Sequence, residues 1–373
     1  MAYAWYTKAR GLELTSLEQH WSRSDTVDVA FYRRSLDNGA TWPDPVQQKT
    51  GERSPAGMWR RHPRCGWVDP GTGRLLEFAL EGVLPTDDPL EGLRQWSIRY
   101  RVDGGAERPL VHTGAEFSAE HPLPGVFKGK NCAMLGDMGS QPVRDRDSIL
   151  MQVDITLIGA DGKLANPGGG YTYHDCAVLH ARWRGRDLEW RMSGAVKGDP
   201  SRTTRGVSEP TLGRLSKGRL LLVMRGANDR KPTLPSRRWV SFSEDGGWRW
   251  SEPRPWTYSN KREFYSPSAC SQLLHHSNGR LYWLGNITPE NPRGNRPRYP
   301  FVVGEVDRLS GGLIKESIRT VDNRDPGESD LLTLSNFYAR EDRVTKEILV
   351  HMTRLFAFND GWQGDAFAYR IRV

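Results

Sequence analysis

The feature that most constrains this chain is a turn written twice. Residues 35–42 (Ser-Leu-Asp-Asn-Gly-Ala-Thr-Trp) and 243–250 (Ser-Glu-Asp-Gly-Gly-Trp-Arg-Trp) both read Ser-x-Asp-x-Gly-x-x-Trp. The Asp carboxylate accepts backbone N–H bonds inside a tight turn, and the Gly adopts the positive φ that other residues resist. The Trp lies back over the hairpin and buries its ring. A hairpin repeated so far apart predicts a repeating β architecture.

A second pattern recurs beside it. Gly73-Arg74-Leu75-Leu76, Gly218-Arg219-Leu220-Leu221 and Gly279-Arg280-Leu281-Tyr282 each read as a turn followed by an apolar strand. The unit is therefore strand, Gly turn, strand, strand, Asp-bearing turn. At roughly 50 residues per unit, 373 residues hold five to seven units. Residues 101–105 (Arg-Val-Asp-Gly-Gly) read as a degenerate copy.

Strands are expected at 27–33, 75–80, 96–102, 149–158, 220–225, 239–243, 281–286, 301–306, 348–353 and 366–373. Short helical turns are expected at Gly11–His20 and Asp88–Leu93. The fold class is all-β, a six-bladed β-propeller, with residues 1–373 as one domain. Residues 1–25 or so pack on or close the ring, and the terminal strand near Tyr369–Val373 pairs with one near Val27–Tyr32, removing an open edge.

Composition narrows the partners. The net charge is +8, which favours acidic ligands. No basic run interleaved with aromatics is present, nor any zinc-finger or helix-turn-helix spacing, so nucleic acid is not expected. No stretch approaches ~18 apolar residues, so no membrane insertion is expected. Met1–Trp5 carries no signal-peptide pattern, which leaves localisation open. Cys65, Cys132, Cys176 and Cys270 stand far apart, which predicts four isolated core thiols and no zinc site. No cofactor or metal is expected.

The Asp-bearing turn resembles the Asp-box of the sialidase (neuraminidase) superfamily. Residues 208–212 (Ser-Glu-Pro-Thr-Leu), followed by 218–225 ending in Arg225, are similar to the sialidase segment that carries an active-site Glu and Arg. Residues 265–268 (Tyr-Ser-Pro-Ser), then 277–281 and Asn286, resemble the next blade, and 295–300 fall where sialidases place a late Arg. The resemblance implies a central site in which three arginines bind a sugar carboxylate, a Tyr–Glu pair supplies the nucleophile and an Asp is the general acid.

Carried onto this chain, the resemblance implies that Arg225 and Arg298 bind the carboxylate, with Arg205 near the same cavity. Arg61 matches an Arg two residues before a Pro, and Arg64 lies on the other side of His62-Pro63. A planar guanidinium fork suits a carboxylate bidentately. Glu209 is the implied partner of the nucleophile. The family's nucleophilic tyrosine is displaced here: Tyr338 is the nearest candidate, Tyr265 and Tyr299 are alternatives, and Tyr265 is also a candidate substrate contact. Asp154, Asp137 and Asp175 are candidates for the acid.

Two histidines stand out independently. Gly168-Gly169-Gly170 leads into Tyr171-Thr172-Tyr173-His174-Asp175, a loop able to hold a base over a substrate. His275 and His276 are adjacent on a strand, so only one of them, taken as His276, can face a cavity. The expected activity is exo-hydrolysis of a terminal acidic sugar. The alternatives are a propeller lyase acting on uronic-acid glycans by β-elimination, and a non-catalytic glycan-binding propeller.

Overall fold

The computed structural model describes residues 1–110 and 123–373. Six antiparallel sheets follow one another along the chain, and they are the six blades of a β-propeller. Blade 1 is Ala2–Tyr6, Leu14–His20, Val29–Ser35 and Val46–Lys49. Blade 4 is Ser208–Arg214, Leu220–Arg225, Arg238–Ser243 and Arg254–Pro255, and blade 5 is Gln272–His275, Leu281–Asn286, Phe301–Glu305 and Arg319–Asp322. Blade 6 has three strands, Tyr338–Glu341, Ile348–Thr353 and Ala366–Ile371.

Blades 2 and 3 share a device. In each, two short segments pair with one long second strand. In blade 2, Gly57–Pro63 and Trp67–Val68 both pair with Leu75–Leu84, which leaves Arg64 in the gap. In blade 3, Ala133–Met134 and Val143–Asp145 both pair with Ser148–Ile158, which leaves Asp137 in the gap. A break in pairing frees these side chains from the alternation of the strand.

All ten expected strands are found, within a few residues at their ends. The three Gly-Arg-apolar turns each open the second strand of a hairpin, beginning at Leu75, Leu220 and Leu281. The two Asp-bearing turns share a hydrogen-bond pattern. Ser35 Oγ donates to Asp37 (2.7 Å) and accepts from Gly39 N (2.9 Å), while Asp37 Oδ1 accepts from Thr41 N (2.9 Å). Ser243 Oγ donates to Asp245 (2.9 Å) and accepts from Gly247 N (2.8 Å), while Asp245 Oδ1 accepts from Arg249 N (3.0 Å). Gly247 has φ 96°, and Trp250 folds back to donate to its carbonyl (2.9 Å). The four cysteines are free and buried.

Two expectations fail. Leu14–His20 is a strand, not a helical turn. Pairing to Ala2–Tyr6 on one side and Val29–Ser35 on the other fixes the extended state. The helical turn at Asp88–Leu93 is present, as Pro89–Glu91 capped by Asp88 and then Gly92–Gln95. The ring also closes differently. Ala366–Ile371 pairs only with Ile348–Thr353, and Val29–Ser35 is already flanked on both edges. Closure is by side-chain packing: Tyr6 is the inner-strand hub, its hydroxyl accepting from Arg340 (3.1 Å) and from Arg343 N (2.9 Å), with the Arg343 guanidinium 3.9 Å above its ring.

Around the axis, polar side chains tie neighbouring inner strands. Gln272 bonds both the N–H and the carbonyl of Ala339 (2.8 and 2.7 Å), and Thr211 Oγ1 accepts from Leu273 N (2.8 Å). Between blades the core is apolar, with Trp5, Trp256 and Trp283 fully buried.

Candidate active site

The inner strands begin at one end of the ring, and a cavity of about 220 Å³ opens there. Every blade contributes to it. Blade 1 gives Trp21 and Asp25, from the loop after its second strand. Blade 2 gives His62 and Arg64, and blade 3 gives Asp137, Asp154 and His174. Blade 4 gives Arg205, Glu209 and Arg225, blade 5 gives Cys270 and Arg298, and blade 6 gives Ser335, Asn336 and Trp362. The starts of first and third strands and the ends of second strands share this end, so residues far apart in sequence converge.

Glu209 is held in an unusual backbone state. Its φ is 46°, at a register shift between Ser208 and Thr211. Its N–H donates to Asp154 Oδ1 (2.8 Å), and its carboxylate Oε1 lies 2.9 Å from Arg225 NH2. Arg225 Nε donates to Ser208 Oγ (3.1 Å). A non-glycine residue in the left-handed region costs free energy and persists only where its surroundings hold it, as Asp154 does here.

Four guanidinium groups line the cavity: Arg64, Arg205, Arg225 and Arg298. Arg64 Nε donates to the Gly136 carbonyl (2.9 Å), Arg205 NH2 to Thr172 Oγ1 (2.8 Å) and Arg298 NH2 to the Ser268 carbonyl (3.3 Å). Burial lowers the pKa of Arg64 and Arg298, and takes Arg205 down to about 10. The neighbouring Arg225 charge adds to the effect on Arg205 and Arg298. Burial and like-charge crowding both disfavour the cation, and a bound anion opposes both. Asp25 is exposed at the mouth, and in its ionised form it acts on Arg205 and Arg298 in the stabilising sense.

The carboxylates differ by environment. Asp154 is buried, and that burial, with the Glu209 charge beside it, pushes its pKa up to about 7. His62 and His174 go the other way. Burial first, then nearby arginines, lowers each to about 3, so both are neutral. His174 Nε2 is buried with no hydrogen-bond partner among the described residues. Aromatic rings form one wall: Trp21 stacks on Trp362 (6.0 Å between centroids), and His62 lies against Trp96 (4.7 Å).

Of the residues singled out in the sequence, the cavity brings together Arg64, Arg205, Arg225, Arg298, Glu209 and His174, with Asp137 and Asp154. Six others lie elsewhere, and each has a local reason. Arg61 is already neutralised by Glu81 (3.1 Å) and Glu107 on the outer part of blade 2. Tyr338 is packed into the core with Tyr3, Trp5, Cys65 and Met138, which pushes its phenol pKa up. Tyr265 lies under Arg237, whose guanidinium is 4.4 Å from its ring, in a groove between blades 4 and 5. His276 clamps a turn, with Nε2 to the Lys346 carbonyl (2.8 Å) and Nδ1 accepting from Asn278 N (3.1 Å). Asp175 accepts from Gly198 N (2.9 Å) away from the cavity, and Tyr299 lies under Arg324.

Sequence reading missed Asp25, Asn336, Trp21 and Trp362. Asp25 has one local signal, a polar Ser-Arg-Ser-Asp loop between two strands. Trp362 has none, because a 12-residue loop between the last two strands carries it to blade 1.

No protein-family model matches the chain, and no curated protein is similar to it in sequence. Solved structures match its fold. A protein of unknown function from Dyadobacter fermentans aligns over 97% of this chain and 92% of its own, at 14% identity and TM-score 0.58. A sialidase from Trypanosoma rangeli aligns over 96% of this chain, at 15% identity and TM-score 0.56, but over only 52% of its own length. An α-L-arabinanase from Penicillium chrysogenum aligns over 96% and 89%, at 13% identity and TM-score 0.55. The chain has the sialidase-like propeller fold. This chain spans about half the length of the trypanosomal sialidase, and at these identities the likeness is one of architecture.

Proposed function

We propose that this propeller is an exo-acting glycoside hydrolase that removes a terminal acidic sugar, a sialic acid or a related nonulosonate, from a glycan. The observation that carries this reading is the convergence of Arg64, Arg205, Arg225 and Arg298 on one cavity, where burial weakens Arg64, Arg205 and Arg298 as cations and repulsion from Arg225 adds to the effect on Arg205 and Arg298. A neutral sugar offers such a cluster hydroxyl acceptors but no compensating charge, whereas a carboxylate bonds it in charge-assisted pairs. Among the proteins of similar fold, the Trypanosoma rangeli sialidase binds a difluorinated nononic acid and the Penicillium arabinanase binds arabinobiose. The arginine cluster favours the first kind of ligand.

In this reading Arg225 and Arg298 grip the carboxylate with Arg64 and Arg205 beside them. Glu209 aims Arg225, and Asp154 fixes Glu209. Asp25, exposed at the mouth, is the acid that protonates the leaving oxygen. The Trp21–Trp362 wall lies where the departing glycan passes.

The test is turnover of a fluorogenic sialoside beside its methyl ester, in which the carboxylate charge is removed. Hydrolysis of the acid and not of the ester supports the reading; equal hydrolysis of both sinks it. A second reading, uronate lyase chemistry, is favoured by the position of His174, which lines the cavity with its Nε2 unpartnered among the described residues. Ultraviolet absorbance growing on uronate polymers, with silence on sialosides, supports that reading instead.

A further inference from the structure

The chain has 12 tyrosines, all among the described residues, and one of them lines the cavity. That one, Tyr171, lies at the rim, 51% exposed, with the Arg205 guanidinium over its ring. The floor of the cavity is built from different chemistry. Asn336 stands just before the first strand of blade 6 and has φ 58°, a left-handed conformation held at three points. Its N–H donates to Cys270 Sγ (3.0 Å), its carbonyl accepts from the Tyr3 hydroxyl (3.2 Å), and its side-chain amide donates to Asp137 Oδ2 (2.9 Å). Asp137 is fixed in turn by the Met138 N–H on Oδ1 (2.8 Å).

Asp137 belongs to blade 3 and Asn336 to blade 6. These blades face each other across a six-membered ring, so the Asn336–Asp137 bond crosses the axis at the bottom of the cavity. Among the described residues nothing donates to the Asn336 amide oxygen, and Asp137 and Asn336 both line the cavity. Asparagine takes the left-handed region more readily than most residues, and three blades lock this one beside a carboxylate at the cavity.

We infer that Asp137 and Asn336 hold and activate a water molecule, so that this protein hydrolyses its glycoside by a single displacement with inversion. The inference rests on the acidic-sugar reading above. The Asn336 amide oxygen accepts one water hydrogen and the Asp137 carboxylate takes the other. The water oxygen bonds to the anomeric carbon from the floor, while the bond to the leaving oxygen breaks toward the mouth and Asp25 supplies that oxygen's proton. Asp137 ends protonated and Asp25 ionised, and exchange with solvent restores both. Acid and base on opposite faces of the ring, with a water between, is the arrangement of inverting glycosidases. Glu209 is not the nucleophile in this scheme: its Oε1 pairs with Arg225, which lowers its charge as an attacking group, while its Oε2 has no partner among the described residues. An anionic oxygen attacking beside the substrate's own carboxylate also meets repulsion that a neutral water does not.

The test follows the configuration of the sugar first released from a sialoside, read by proton NMR within the first minutes. Product of opposite configuration to the substrate supports the inference; product of the same configuration overturns it and leaves the substrate assignment standing. If the wild-type protein turns over no acidic glycoside, both fall together. Asp137→Asn, which keeps an acceptor for the Asn336 amide, lowers kcat by about 100-fold or more with KM little changed. Added azide, which needs no base, restores sugar release as an inverted glycosyl azide. An Asp137→Asn protein with wild-type kcat, or a glycosyl azide of retained configuration, overturns the inference.

Discussion

Arg225 and Glu209 are joined at 2.9 Å in the wall of a cavity that Arg64, Arg205 and Arg298 also line. The pair is made by one hairpin: Ser208, the residue before Glu209, pairs with Arg225, the last residue of the second strand. The bulge and the left-handed turn at Glu209 swing its carboxylate to the same end as the arginine.

Arg298→Ala should lower kcat/KM on an acidic glycoside by about 100-fold or more, the usual cost of one charge-assisted donor at a dry site. The loss should be far smaller on the methyl ester. Equal losses on both substrates would place Arg298 outside carboxylate recognition.

Tyr338→Phe should leave turnover unchanged. The ring is buried among Tyr3, Trp5, Cys65 and Met138 and does not line the cavity. A loss of activity without a loss of stability would restore Tyr338 as the nucleophile.

Asp154 ties stability to pH. Its pKa is raised to about 7 in the folded protein, against about 3.9 in an unfolded chain. Between these values the folded state binds more protons, so this group's contribution is full below about pH 4 and is lost as pH rises through 7. Asp154→Asn should flatten that part of the profile, with the variant gaining on wild type at pH 8 relative to pH 5. Chemical denaturation at the two values measures it.

His62 and His174 act in the opposite sense. Each has a folded pKa of about 3 against about 6.5 unfolded, so their contribution is present above pH 6.5 and is lost as pH falls through 3. Denaturation midpoints should fall with acid across this window, and His62→Gln should reduce the steepness of the fall by about one proton. An unchanged slope would mean that His62 is charged when folded.

Ser35→Ala and Ser243→Ala should each cost about 1–2 kcal/mol of stability, because each hydroxyl is buried and bonds both an Asp and a Gly N–H. Activity per folded molecule should not change, since both turns follow the ends of third strands, whose starts lie at the cavity end of the ring.

The propeller was legible because its signals are local. The Asp-bearing turns, the Gly-Arg-apolar starts and the apolar runs each act within one hairpin, so residues such as Asp245 and Leu220 report their structure through near neighbours. The misread segments are those settled by partners distant in sequence. Leu14–His20 looks helical until two strands flank it, and Ala366–Ile371 closes no ring because Val29–Ser35 has both edges taken. Glu209 and Arg225 could be singled out together because a single hairpin carries both. Asn336 and Asp137 could not be paired in advance, because 199 residues separate them and only the ring brings blade 3 opposite blade 6.

The sequence by itself determined the hairpin, since hydrogen bonding and φ preferences inside a short turn need nothing from elsewhere. Only the tertiary structure decided which charges are free. Arg61 and Arg64 stand three positions apart, yet one is neutralised by Glu81 and Glu107 while the other faces the cavity from a gap in strand pairing. Whether a guanidinium grips a ligand or a neighbouring carboxylate depends on distances that only the closed ring sets.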